Sequence, residues 1–157
     1  MRLFIATPVT IPIYSVIKTK LSPYIKGNWT IAPNLHLTHL FIGEDEPSRY
    51  KIELEVPNEK ITIKSFGMFG DKILYLKATS PNIDSIYKQL QKRFNIKNKA
   101  FTPHITLCRV KSIEDKDALL NAIKSFENIE FQNDFSVYLY ESILTKSGPI
   151  YKKIYKY

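Results

Sequence analysis

Apolar residues in this chain fall into short alternating runs, interrupted by three stretches of helical spacing. Alternation of β-branched and aromatic residues with polar ones predicts strands over 2–7, 35–42, 60–68, 72–79, 102–110, 135–144 and 150–155, and a further short strand over 50–56. Gly43, Gly67, Gly70 and Asp71 supply turn chemistry between them. Helical spacing appears over 11–26, where Tyr14, Ile17 and Leu21 share a stripe. Pro23 strains the end of that segment, and Gly27 offers a stop. A second stripe, Ile83, Ile86, Tyr87, Leu90 and Phe94, predicts a helix over 82–94. A third, Leu119, Leu120, Ile123 and Phe126, predicts one over 112–126 with Ser112 as N-cap and Asp115 three residues on. The resulting order is strand, helix, strands, helix, strand, helix, strands. Two passes of strand–helix–strand imply an α+β fold that is pseudo-duplicated.

Two of these strands open with the same triplet, His36-Leu37-Thr38 and His104-Ile105-Thr106. Strand side chains alternate between faces, so each triplet presents one imidazole and one hydroxyl to a single surface. Leu37 and Ile105 then turn into the core. The chain has three histidines, and the triplets use two of them. The third, His39, lies three residues from His36, which places it on the opposite face as a packed, hydrogen-bonded core residue. By the same alternation Cys108 falls on the His104 face. Arg109 falls on the other face, unless the strand bulges or ends there. On the cleft face Arg109 would be a phosphate partner, and on the other a surface ion pair.

Composition narrows the reading. At 157 residues, 44% of them hydrophobic, residues 1–157 form one domain or two small lobes sharing a core. No run approaches the roughly 18 apolar residues of a membrane helix, and the start, broken by Pro8 and Pro12, reads as a strand, not a signal peptide. The single cysteine, Cys108, excludes an intrachain disulfide and fits a reducing cytoplasm. The net charge of +8 is spread along the chain and favours a polyanionic partner, nucleic acid first.

Histidine titrates near neutrality, so a pair can divide acid and base work. Cleaving a phosphodiester requires a base for the nucleophile and an acid for the leaving oxygen. Two threonine hydroxyls would hold the non-bridging oxygens. No cysteine or carboxylate cluster has metal-ligand spacing and no Gly-rich phosphate loop occurs, so neither a metal nor another cofactor is expected. The tail 151–157 interleaves tyrosines with lysines, and Tyr151 is a candidate for stacking on a base.

The segments LHLTHLFIG (35–43) and FTPHITLCR (101–109) resemble the two signature strands of the 2H phosphoesterase superfamily. The resemblance is to its RNA 2',3'-cyclic phosphodiesterase branch, also called 2'-5' RNA ligases. The opening MRLFIA (1–6) and the segment FSVYLYES (135–142), followed by Gly148 and Tyr151, resemble that branch's first and last strands. The resemblance implies a bilobal α+β fold, with antiparallel sheets flanking a central cleft and helices on the outer faces. It implies metal-independent hydrolysis of RNA 2',3'-cyclic phosphate ends to 2'-phosphomonoesters. His36 and His104 would be catalytic, Thr38 and Thr106 would bind phosphate, and Arg109 and Tyr151 would contact substrate. His104 is assigned as base and His36 as acid. Reversible 2'-5' ligation with a 5'-hydroxyl as nucleophile is implied as well, with tRNA halves among the RNA partners, and a cytoplasmic monomer is expected. Other readings are a 2H phosphodiesterase acting on a small cyclic nucleotide, a 2'-5' oligonucleotide or an ADP-ribose cyclic phosphate, and a non-catalytic RNA-end-binding module. The first signature of the family often continues Leu-Lys after the threonine, where this chain has His39 and Leu40.

Overall fold

The structure is a computed structural model that describes residues 1–97 and 99–157. It is α+β and antiparallel throughout its sheet. The elements run β1 (Arg2–Pro8), α1 (Tyr14–Leu21), β2 (Ile25–Trp29), β3 (His36–Glu44), β4 (Lys60–Phe69), β5 (Ile73–Thr79), α2 (Ser85–Phe94), β6 (His104–Ile113), α3 (Lys116–Lys124), β7 (Phe131–Asp134), β8 (Tyr138–Thr145) and β9 (Gly148–Lys156). The strands form one continuous sheet in the order β7-β4-β5-β6-β3-β1-β8-β9, with β2 also paired to β6.

Two arms are legible in that order. One is β9-β8-β1-β3, and the other is β7-β4-β5-β6 with β2. They meet where β3 and β6 pair at a single register position, Leu37 opposite Ile105. Beyond it β2 takes over the edge of β6, from Cys108 to Ile113. The triplet strands are therefore the innermost strand of each arm.

One face of the sheet holds the main core. Leu3 and Ile5 of β1, Leu37 of β3, Leu74 and Leu76 of β5, Ile105 and Leu107 of β6 and Leu139 of β8 are fully buried there, with Ile17, Leu21, Ile86, Leu90 and Leu119 from the helices. Each buried aliphatic side chain contributes about 1.5–3 kcal/mol relative to exposure, so this layer is the fold's principal stabilisation. β1 is buried on both faces: its other side, Phe4 and Ala6, forms a second small cluster with Tyr140, flanked by Tyr138 and Tyr151.

Several expected boundaries shift for local reasons. The first helix ends at Leu21 and does not reach residue 26. After the turn around Pro23 the chain becomes β2 and pairs with β6. Gly27 permits that approach, since a Cβ there would collide with the Arg109 carbonyl oxygen. The third helix is capped by Asp115, whose Oδ1 accepts the Ala118 N–H at 3.0 Å, while Ser112 is still in β6. Residues 51–57 are not a strand. A 3₁₀ turn, Pro47–Tyr50, precedes them, and the Gln89 side chain of α2 replaces a strand partner by bonding both the N–H and the carbonyl of Glu55. The short β7 pairs with β4 where no strand is expected from the sequence.

Candidate active site

The single β3–β6 pairing sets the site. Leu37 and Ile105 point into the core, so the residues on either side of each point to the opposite face. Extending the register by one residue each way sets His36 across from Thr106 and Thr38 across from His104. Opposed side chains on one face of an antiparallel pair have Cβ atoms about 4.5–5.5 Å apart. The two triplets thus form one four-residue patch at the junction of the arms.

Both imidazoles are anchored in the same way. His36 Nδ1 lies 2.6 Å from the Asn34 carbonyl oxygen, and His104 Nδ1 lies 2.7 Å from that of Thr102. A carbonyl only accepts, so Nδ1 carries the proton in both rings and Nε2 is left as the nitrogen available for proton transfer. The carbonyls stand two residues before their histidines, and both come from backbone. Residue type gives no sign of them, which is why the sequence does not reveal them.

Each strand also bulges directly after its threonine. On β3 the partners run Ala6↔Thr38 and then Ile5↔Leu40, skipping His39. On β6 they run Tyr75↔Thr106 and then Leu74↔Cys108, skipping Leu107. A bulge inserts one unpaired residue and reverses the alternation beyond it. Arg109 pairs with Ile73, which shares the Tyr75 face of β5, so Arg109 stands on the same side as His104 and Thr106. Unbroken alternation would send it away. Cys108 is the complementary correction. It is fully buried in the core, opposite Leu74, and burial pushes its thiol up to about 11. No ion pair among the described residues engages Arg109.

The surroundings of the two histidines differ. His36 is walled by Phe4, with ring centroids 5.2 Å apart, and by Tyr151 at 5.2 Å and 88°. His104 sits against Phe69 at 4.9 Å and Tyr75 at 5.4 Å. The Tyr75 ring lies over Gly67, where any side chain would displace it. Burial pulls the His36 pKa below its ordinary value. The Asn34 carbonyl opposes that shift, and the nearby positive charges of His104 and Arg109 add to it. Neutral His36 is therefore favoured. Tyr151 is half-buried in the wall, edge-on to Phe4 as well, and burial raises its phenol.

His39 is where alternation put it. It is 2% exposed, stacked on Phe135 at 5.6 Å, with Nε2 2.7 Å from the Thr7 hydroxyl. Burial, with a smaller contribution from the charge of His36, pulls its pKa down to about 3, so it stays neutral.

A cleft of about 680 Å³ adjoins the four-residue patch, bounded by β2, the β8–β9 turn and β6. Asn34 and Tyr151, which both touch His36, line it together with Arg109, and Trp29, Lys18 and Lys146 are also among its walls. These last three come from separate elements with no motif in common, so only the fold brings them together.

Known proteins share this architecture. The family profile described as LigT like Phosphoesterase matches residues 76–151. A protein of Methanocaldococcus jannaschii named RNA 2',3'-cyclic phosphodiesterase is 30% identical over 175 positions, covering 98% of each chain. A Thermotoga maritima protein of the same name is 31% identical, covering 99% of this chain and 94% of its own. Among solved structures, Thermus thermophilus TT0787 superposes with a TM-score of 0.70 at 22% identity, over 100% of this chain and 97% of that one. Escherichia coli LigT complexed with 3'-AMP gives a TM-score of 0.70 at 20% identity, over 99% and 96%.

Proposed function

Since the chain belongs to the LigT-like phosphoesterases of the 2H superfamily, we propose that it hydrolyses 2',3'-cyclic phosphate ends of RNA to 2'-phosphomonoesters with His36 and His104 as its acid–base pair. The observation that carries this reading is the pair of imidazoles, each held by Nδ1 to a carbonyl two residues upstream, set with two threonines on one face where the arms join. The RNA relatives' names support the substrate class.

The enclosed, neutral-leaning His36 takes a proton from water through Nε2. The water oxygen forms a bond to phosphorus as the bond to the 3'-oxygen breaks. His104, protonated, gives its Nε2 proton to that 3'-oxygen, leaving a 3'-hydroxyl and a 2'-phosphomonoester. Thr38 and Thr106 donate to the non-bridging oxygens, and the Arg109 guanidinium neutralises their charge. The reversal of base and acid relative to the sequence-based assignment stems from the burial of His36. With a 5'-hydroxyl in place of water as the nucleophile, the same groups keep their roles: His36 takes the hydroxyl proton, His104 protonates the departing 3'-oxygen, and a 2'-5' linkage forms.

The adjoining cleft, with Trp29 and Tyr151 in its walls, receives the terminal nucleoside. Turnover of an RNA oligonucleotide ending in a 2',3'-cyclic phosphate tests the reading. His36→Ala and His104→Ala should each abolish it while the protein stays folded, and near wild-type activity in either variant would overturn it.

A further inference from the structure

On the face that carries the candidate site, a second cationic feature lies away from the histidines. The register places Thr38 opposite Ala6 on β1, and Ala6 opposite Tyr138 on β8. These three residues form one row across three strands. Neighbouring strands lie 4.7–4.9 Å apart, so the Tyr138 backbone stands about 10 Å from that of Thr38. Between them Ala6 is fully buried, packed with the Phe4 and Tyr140 rings and with Tyr138 against them. On its far side Tyr138 pairs with Lys156, and Lys153 pairs with Tyr140 one place along.

Both lysines are exposed, and both fold back over the same ring. Lys153 Nζ lies 4.3 Å from the Tyr138 centroid and Lys156 Nζ lies 5.8 Å from it. The ring attracts both ammonium groups and offsets part of the rotamer entropy lost when a phosphate orders them. Among the described residues no carboxylate pairs with either lysine. Glu141, the acidic residue of β8, is opposite Lys152 and alternates to the other face.

We infer that Tyr138, Lys153 and Lys156 form a distal phosphate site that holds a backbone phosphate of the RNA strand whose cyclic end lies at His36 and His104. This rests on the reading of the function given above and adds to it a direction and a substrate class. The RNA crosses β1 over the aromatic cluster that buries Ala6, and the preferred substrate is an oligonucleotide end with unpaired backbone to reach the lysines. A cyclic mononucleotide is too short to touch them.

The test compares a tetraribonucleotide ending in a 2',3'-cyclic phosphate with the corresponding nucleoside 2',3'-cyclic phosphate. The wild type should prefer the tetranucleotide in kcat/KM. In the double variant Lys153→Ala, Lys156→Ala that preference should fall about tenfold, carried by the KM of the tetranucleotide. The dependence of its kcat/KM on salt should flatten by roughly 0.7 in log–log slope for each phosphate that is no longer bound. Tyr138→Phe should keep the preference and Tyr138→Ala should lower it. An unchanged preference and slope in the double variant, or equal losses on both substrates, would overturn the distal site. If the wild type turns over neither substrate, the proposed reaction fails by itself. Fluorescence anisotropy with a tetraribonucleotide carrying a 2'-phosphate end then decides the site separately. Weaker binding with a flatter salt slope in the double variant supports it, and unchanged binding overturns it.

Discussion

The β3 and β6 strands are two versions of one device. Each starts with a histidine whose Nδ1 is tied to a carbonyl two residues back, buries the next residue, presents a threonine and then bulges. They differ at the bulge, beyond it and in their surroundings. The skipped residue is the buried, polar His39 in β3 and Leu107 in β6. The position after the bulge that returns to the site face is Phe41 in β3 and Arg109 in β6. Phe41 carries the guanidinium of Arg2 over its ring at 5.3 Å, so even this position has a cation beside it, supplied by a neighbouring strand. The repeated parts leave Nε2 of each imidazole as the nitrogen open to proton transfer. In the proposed mechanism the unmatched parts give each imidazole a different task, because burial, with the charges of His104 and Arg109, disfavours a charge on His36.

The largest effects should come from the shared parts. His36→Ala and His104→Ala should each lower kcat by about 10²–10⁴-fold, measured on a cyclic-ended RNA, the usual contribution of a positioned general acid or base. If one loss were negligible, the strands would not be equivalent in use. Next comes the unmatched cation. Arg109→Ala should cost about 10²-fold in kcat/KM, and Arg109→Lys should recover only part of it, because an ammonium lacks the planar fork. Indifference to both changes would return Arg109 to the role of a surface charge. Thr38→Val and Thr106→Val keep the shape and remove one donor each. Comparable losses near 10²-fold would show that the phosphate is held symmetrically, and unequal losses would identify the strand that grips it harder.

The smallest effect concerns stability and separates the bulges. His39 titrates near 3 when folded and near 6.5 when unfolded. The unfolded chain therefore binds the extra proton as pH falls, and stability drops from about pH 6.5 downward, by about 1.4 kcal/mol per unit. Between pH 6.5 and 5 this amounts to about 2 kcal/mol. His39→Leu should remove that part of the acid sensitivity in urea unfolding. At pH 7 the Thr7 hydroxyl loses its partner, but the buried His39 Nδ1, which has no partner among the described residues, is removed too, so the net cost should stay below about 2 kcal/mol.

Much of this was readable from the chain. Alternation alone placed His36, Thr38, His104 and Thr106 on one face and His39 in the core, because a strand's pleat is a local property. It failed at Cys108 and Arg109, where a bulge inverts the pleat. A bulge is set by pairing with β5, residues 73–77, and leaves no mark in residues 104–109 themselves. The same holds for the start of β2, where periodicity carries a helix to residue 26. Its strand pairing depends on β6, more than seventy residues away, and on Gly27 allowing contact. Helix starts were misplaced by a few residues, since Ser112 and Asp115 are both good caps and only the length of β6 chooses between them. The walls of the site, Phe4, Phe69 and Tyr75, were not recognisable because their rings converge only once the two arms are joined.

On this reading the duplicated strands hold unlike protons: His36 is the neutral base and His104 the charged acid. The decisive measurement is the pH dependence of kcat/KM in the residual activity of His104→Ala, since that ratio reports groups of the free enzyme. With His36 as the base, activity should rise with pH to a plateau, with an apparent pKa below the ordinary imidazole value of about 6.5, and no basic limb should remain. Residual activity that instead falls as pH rises would make His36 the acid and refute the division of roles.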